Sequence, residues 1–325
     1  MRVGLYSDHL YRDGQIGTGA SKYVHYLTKE LLDLGVTVVP IHKGENPTNV
    51  DILHDPHPPW NAPLRPRRPL VITIHDLAPA TYPRFFSRWV RFLYLQKLRW
   101  FLRIANRVLV DSHRTEEVVR SSFRSKMPIE VIPLGVEDRF RPLSVSRPER
   151  PFIVQVGVHR PIKDPWATLR AFATIEDQIG HDLQFVGGRP PWMESLVEYV
   201  ARHSRLANRV TFRWPGEDGI PIVYNQASLV VHPCPEEGFG FVPLEALACG
   251  AHVLARAPAV RETLGPYGCY YNDDPSYSQT ILACLEGAAK GSPEERVRHA
   301  RTFTFRAMAN RTLRAYESAL SGSGS

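Results

Sequence analysis

Short apolar runs alternate with helical patterns along most of the chain. Residues 2–7 form an apolar strand and a polar loop fills 7–19. Apolar positions at Tyr23, Val24, Leu27, Leu31, Leu32 and Leu34 then mark a helix that stops at Gly35. Further strands fall at 36–39, 52–54, 71–74, 108–110 and 131–132. A stretch with four prolines, Pro133, Pro142, Pro148 and Pro151, interrupts the alternation, which resumes with strands at 153–156, 183–186, 210–212 and 229–232 and helices over 165–179 and 191–202. A last helical stretch spans 293–318. Strands separated by helices predict parallel sheets covered on both faces. The pattern thus predicts two doubly wound, Rossmann-like α/β domains, 1–146 and 147–305. A helix over 306–320 and a flexible tail at 321–325 follow. Sheets of this kind take ligands at the carboxyl ends of their strands, and a ligand held by both would lie in the cleft between them.

Length supports two cores rather than one, since 325 residues exceed the usual size of a single domain. With 43% hydrophobic and 22% charged residues the composition is that of an ordinary soluble protein. Charge is uneven: residues 1–150 carry 23 Lys/Arg against 15 Asp/Glu and residues 151–325 carry 17 against 18, so the net +7 belongs to the first half. That asymmetry points to an anionic partner of the first domain. Cys234, Cys249, Cys269 and Cys284 show no metal-type spacing and read as buried thiols of a reducing compartment. Strand 2–7 starts without a signal-like leader, and no apolar run is long enough to cross a bilayer. A cytoplasmic protein, able to lie peripherally at the inner membrane face, is the expectation.

Chemistry concentrates in 235–250, P-E-E-G-F-G-F-V-P-L-E-A-L-A-C-G. Strand 229–232 feeds a turn bracketed by Gly238 and Gly240 around Phe239, and a helix starts near Phe241 and stops at Gly250. The first N–H groups of a helix form an anion site, and glycines let a ligand approach the backbone. Glu237 lies in the turn and Glu245 on the helix. Carboxylates accept hydrogen bonds from vicinal hydroxyls, so two acids around a phosphate-ready turn suit a nucleotide sugar. An ordinary helix behind an acidic, glycine-rich turn is the plain alternative.

The stretch resembles the E-x7-E motif of the large retaining glycosyltransferase family with the GT-B fold, which includes many mannosyl- and glucosyltransferases. The resemblance implies that Glu237 meets the donor sugar, that Glu245 meets the nucleotide ribose, and that Gly238, Phe239, Gly240 and Phe241 line the donor site. It extends to Gly17 and Gly19 before the first helix, to His75 in V-I-T-I-H-D-L, and to R-V-L-V-D-S at 107–112 and V-I-P-L-G-V at 131–136. His75 would then stand near the donor sugar and acceptor, and Lys163 would neutralise the diphosphate. The family's usual arginine positions near Lys163 hold Val158 and Ile162 here, leaving Arg160 as the nearest second cation. No Asp- or His-rich metal cluster is visible in the sequence, so neither metal nor resident cofactor is expected. The implied reaction moves a hexose, for instance mannose from GDP-mannose, to a glycan or lipid-linked acceptor. A nucleotide-sugar epimerase, a non-catalytic partner subunit and a paired-carboxylate glycosidase are the competing readings.

Residues 84–107 hold seven Lys/Arg and no acid, interleaved with aromatic and aliphatic side chains. Such a helix either fills the first domain's core with one side or lies on an anionic membrane surface, and both can hold at once. Basic and aromatic residues confined to one helix without a recognition motif argue against nucleic acid.

Overall fold

The computed structural model describes residues 1–7, 19–124, 127–157, 161–188, 191–288 and 290–322. It divides into two compact units: Met1–Gly135 together with Phe303–Ser325, and Val136–Thr302.

The first unit contains strands β1 (Arg2–Tyr6), β2 (Thr37–Ile41), β3 (Ile52–Asp55), β4 (Leu70–Ile74), β5 (Arg107–Val110) and β6 (Ile129–Val131). All pair in parallel, in the order β2-β1-β3-β4-β5-β6. Strands β3 and β4 are buried at every position, as a parallel sheet with both faces covered requires. Helix α1 (Gly19–Asp33) buries Tyr23, Val24, Leu27 and Leu31 at helical spacing. A short α2 (Ala78–Thr81) leads to α3 (Arg88–Ile104), capped by Ser87, whose hydroxyl accepts from the Val90 amide. Ser112 caps α4 (His113–Phe123) in the same way through the Thr115 amide.

The second unit has β7 (Phe152–Val156), β8 (Asp182–Val186), β9 (Val210–Arg213), β10 (Leu229–His232), β11 (Val253–Ala255) and β12 (Cys269–Tyr270). Their order is β12-β11-β10-β7-β8-β9, again parallel throughout. Helices α5 (Pro165–Ile175), α6 (Glu194–Arg202), α7 (Ser204–Ala207), α8 (Ile220–Gln226), α9 (Phe241–Ala248), α10 (Pro258–Leu264), α11 (Asp274–Ala283) and α12 (Pro293–Ala300) connect them. This is the dinucleotide-fold order, in which the chain leaves the central strand first to one side and then to the other. The change of direction falls between β7 and β10, so their carboxyl ends face loops that diverge and leave a crevice.

The last helix, α13 (Phe305–Ser321), belongs to the first unit. Tyr316 places its hydroxyl 2.6 Å from Nδ1 of the buried His54 on β3, and Arg107 donates to the Ser318 hydroxyl. Gly135 passes so close to α13 that a Cβ there would lie 2.2 Å from the Phe305 backbone nitrogen. The periodicity over 293–318 predicts one helix, whereas the structure breaks it between α12 and α13. Thr304 is extended there and accepts from the Ala307 amide, starting a new helix.

The units divide at 135/136 and 302/303, where the sequence expectation lies at 146/147, from the proline-rich stretch, and at 305/306. The intervening chain is bonded to the second unit: Arg139 pairs with Glu217, Arg301 donates to the Phe140 carbonyl, and the Leu143 amide donates to Asn225. Strands β11 and β12, of three and two residues, are too short to show an alternation, and the sequence reading does not mark them.

Helix α3 uses one side for the core. Leu98, Phe101 and Leu102 are buried, while Trp89, Phe92 and Trp100 stay exposed. No helix among the described residues is long and apolar enough to cross a membrane.

Candidate active site

At the β7/β10 crevice three polar side chains from distant parts of the chain converge. Lys163 ends a 3-10 turn (Pro161–Lys163) after β7, and the buried Gln155 of β7 donates its amide to the Lys163 carbonyl at 2.8 Å. Asp164 then takes a left-handed conformation and caps α5 through the Ala167 amide. The lysine is thereby fixed to the end of the central strand. Its ammonium donates to Oε1 of Glu237.

His232 is the last residue of β10, 3% exposed, and its Nε2 lies 2.9 Å from the same Oε1. With Glu237 ionised, Nε2 carries the proton and donates. Oε2 of Glu237 has no partner among the described residues. Burial alone would push the Glu237 carboxyl up, but the Lys163 charge and the His232 hydrogen bond outweigh it and hold the group far below the usual carboxylate range. Burial lowers the His232 pKa, with the Lys163 charge acting in the same direction against Glu237, so the imidazole stays neutral. The carboxylate is therefore clamped on one oxygen, and its other oxygen remains available as an acceptor.

The turn beyond Glu237 delivers the start of α9. Gly240 has φ +92°, and a Cβ there would lie 2.8 Å from Val260, so only glycine makes this turn. Bonding within α9 begins with the Leu244 amide on the Gly240 carbonyl, and Pro243 has no N–H. The Val242 amide thus has no partner inside the helix, and a helix start of this kind attracts an anion. Gly157, at the end of β7, approaches Val242 closely enough that its Cβ would lie 3.7 Å from that side chain. The Phe239 ring is buried edge-on against Phe241 at 5.5 Å, and the Phe239 carbonyl accepts from Thr263. Gly238 is buried as well.

Glu245 lies in different surroundings. It is 5% exposed on α9, and the Tyr224 hydroxyl of α8 donates to its Oε2 at 3.3 Å. Burial and this carboxylate raise the Tyr224 pKa well above its ordinary value and push the Cys249 thiol up to about 12.

In the first unit His75 stands at the end of β4, its Nδ1 2.7 Å from the buried Asp111 after β5. Tyr23 packs edge-on against the ring at 4.8 Å. Burial opposes the charge on His75, but Asp111 dominates together with Asp76 and the Pro56 carbonyl, and the imidazole pKa is raised. The Pro56 approach falls short of hydrogen-bond geometry, so Nε2 is buried without a partner.

Of the site residues expected from sequence, the structure brings Lys163 and Glu237 together beside Gly238, Gly240 and Phe241. Gly19 opens α1. Gly17 and Arg160 lie outside the described residues. Sequence reasoning missed His232, which reads as an ordinary strand residue, and Asp111, which lies 36 positions from its partner. It also singled out no metal cluster, whereas ligand atoms of His232, Cys234 and Glu237 lie within 4.8 Å of one another. Lys163 and His232 both occupy Oε1, and the Cys234 thiol donates to the Glu236 carbonyl, so the lysine already supplies the positive charge a metal would bring.

A dinucleotide-ordered sheet with an ammonium, a clamped carboxylate and a helix start at its switch point, alongside a second doubly wound unit, defines a protein of the GT-B class. The family model "Glycosyl transferases group 1" matches residues 136–274, and "Glycosyltransferase Family 4" matches 41–140. The chain belongs to the group 1, family 4 glycosyltransferases.

Among curated proteins it is similar to the O-antigen chain mannosyltransferase RfbU of Salmonella typhimurium, 27% identical over 221 residues, 66% of this chain and 60% of that one. It is also similar to the D-inositol 3-phosphate glycosyltransferase of Salinispora tropica, 31% identical over 212 residues, 54% and 43% of the two chains. The aligned region thus spans about half the length of these relatives. Among solved structures, sucrose-phosphate synthase from Thermosynechococcus elongatus superposes with TM-score 0.83 at 19% identity over 99% of both chains. HepE from Anabaena, in complex with UDP, gives 0.70 at 18% over 98% and 99%. At these identities the likeness concerns the fold.

Proposed function

We propose that the protein is a retaining hexosyltransferase that takes its sugar, mannose from GDP-mannose being the first choice, from a nucleoside diphosphate. A glycan or lipid-linked molecule is the acceptor. The observation that carries this reading is the convergence of Lys163 and His232 on one oxygen of Glu237 at the β7/β10 switch point, beside the first turn of α9. Lys163 and the first turn of α9 face the diphosphate, while the outer oxygen of Glu237 accepts from sugar hydroxyls. Glu245 holds the ribose. As the bond from C1 to the diphosphate breaks, charge grows on the leaving oxygen, where fixed donors contribute on the order of 3 kcal/mol each. The acceptor oxygen bonds C1 on the face that is vacated, its proton passes to the departing phosphate, and nucleoside diphosphate is released. His75 contributes a polar contact to the acceptor through Nε2.

Mannose is supported by the similarity to RfbU, named a mannosyltransferase, and the nucleotide reading by the UDP complex of HepE. The clamped, ionised state of Glu237 removes it as the general acid that a paired-carboxylate glycosidase requires. A panel of nucleotide sugars screened by thermal shift, then product analysis by NMR with and without acceptor, tests the proposal. Stabilisation by a nucleotide sugar followed by an α-linked product from an α-linked donor is expected. Conversion of the donor alone to its epimer, or no stabilisation by any nucleotide sugar, would refute it.

A further inference from the structure

Helix α3 carries a face that nothing in the fold explains. At 100° per residue, Trp89, Phe92, Trp100 and Arg103 fall on the side directly opposite the buried stripe of Leu98, Phe101 and Leu102. Trp89 is 66% exposed and Phe92 52%, and the two rings stack at 5.9 Å, so each covers the other without reaching the core. The Trp100 indole, 40% exposed, donates to the Leu64 carbonyl, and the Leu64 side chain, 58% exposed, extends the patch. A helix that needed only to close the first unit's core would have polar residues on this side.

The cations around the patch separate into two groups. Arg91 donates to the Pro79 carbonyl, Arg99 to Gln96, and Lys97 lies over the Trp60 ring. Arg88 and Arg103 are exposed, and among the described residues they make no hydrogen bond or ion pair. The segment 84–107 contributes no acid. Exposed aromatic rings flanked by unneutralised arginines match one environment in particular, the boundary of an anionic bilayer, where rings enter the headgroup layer and guanidinium groups meet phosphate.

We propose that the outer face of α3, with Trp89, Phe92, Trp100 and Leu64 inserting and Arg88 and Arg103 pairing with phosphate, docks the protein on an anionic lipid surface. The proposal goes beyond the transferase reading and does not depend on it. The attachment is to the surface of one leaflet, and no helix among the described residues is long and apolar enough to cross the bilayer.

Co-sedimentation with phosphatidylcholine vesicles, with and without phosphatidylglycerol, tests it. Wild type should sediment with the anionic vesicles, be released by salt, and stay in solution with the neutral ones. R88S/R103S should weaken partitioning roughly thirty-fold, two basic side chains at about 1 kcal/mol each. W89S/F92S should weaken it by about ten-fold or more. Both variants replace exposed side chains and should melt with the wild type, and the salt titration of the wild type needs no variant at all. Equal binding to neutral and anionic vesicles would overturn the proposal, as would W89S/F92S sedimenting like wild type. So would wild type that ignores vesicles and forms a dimer in solution that W89S/F92S converts to monomer, since the patch would then bind a second copy of the chain.

Discussion

The Lys163–Glu237 pair makes opposite demands of two substitutions, and the contrast tests whether the ammonium serves a diphosphate. In the free protein Glu237 neutralises Lys163, with both side chains about four-fifths covered. A diphosphate arriving at Lys163 gains a charge-assisted contact of about 1.5–3 kcal/mol but meets the nearby carboxylate. At an effective dielectric near 20, a carboxylate about 7 Å away repels a unit of phosphate charge by roughly 2 kcal/mol, which Lys163 now screens. Lys163→Met removes the contact and exposes the repulsion, so nucleoside diphosphate affinity should fall roughly a hundred-fold or more. Glu237→Gln leaves the ammonium without its carboxylate, so affinity for free nucleoside diphosphate should rise several-fold even as turnover falls. The double variant should lie between, tighter than Lys163→Met alone.

Acidity adds a second signature. In wild type, Glu237 sits far below the usual carboxylate range, so diphosphate affinity should owe nothing to its protonation near neutrality. Without Lys163, burial pushes the same carboxyl up, and it takes a proton as pH falls. The repulsion then fades, so Lys163→Met should bind diphosphate more tightly in mild acid than in mild alkali. Calorimetric titration with nucleoside diphosphate and monophosphate, across pH, measures all of this. The reasoning fails if Lys163→Met weakens both nucleotides equally, or if Glu237→Gln weakens diphosphate binding.

Four further outcomes follow from single contacts. Glu245→Ala should weaken nucleoside diphosphate binding about ten-fold, whereas Glu237→Ala should act chiefly on kcat; equal effects on nucleotide affinity would contradict the division between ribose and sugar. His232→Leu should free Glu237 from its clamp and lower kcat about ten-fold with little change in nucleotide Kd, and His232→Gln, which restores an amide donor, should recover much of the loss. Asp111→Asn removes the charge that raises the His75 pKa, so any alkaline limb of the pH–rate profile that reports His75 should move to lower pH, and an unmoved limb would detach His75 from the reaction. His54, buried against Tyr316 and Thr73, is lowered from 6.5 to about 3 and folds as the neutral imidazole. Its contribution is complete above 6.5 and is lost as pH falls toward 3, at about 1.4 kcal/mol per unit, or roughly 2 kcal/mol by about pH 5. Thermal melts of His54→Gln should show a shallower acid slope than wild type, and parallel slopes would refute the assignment.

How much of this was legible beforehand depended on the distance over which each feature is decided. Buried strands such as 71–74 and 229–232 announce themselves within a few residues. So does the turn at Gly240, whose φ of +92° calls for glycine at that position. Two acids bracketing that turn were likewise readable from the motif alone. The break between α12 and α13 was not, because helical spacing continues across it, and what separates the helices is the packing of Phe305 on Gly135 and on Tyr26, whose ring it stacks at 3.9 Å. The unit boundary at 135/136 was hidden for the same reason: prolines mark where regular structure stops, while membership is decided by Arg139 and Leu143 bonding to the second unit.

The chemical state of the site lies further still from anything local. Glu237 is low in pKa because a lysine 74 positions earlier reaches it, and that lysine does so because Gln155 holds its carbonyl at the end of β7. The parallel pairing of β7 with β10 is what makes the two loops neighbours. His232 then follows from its place as the last residue of β10, where the turn that follows brings Glu237 to 2.9 Å from its Nε2. A motif therefore names which residues have the right chemistry, and the strand order decides which of them share a proton or a charge. It is the second kind of fact that turns two glutamates of one motif into different groups, one ionised and clamped by a cation, the other buried against a tyrosine hydroxyl.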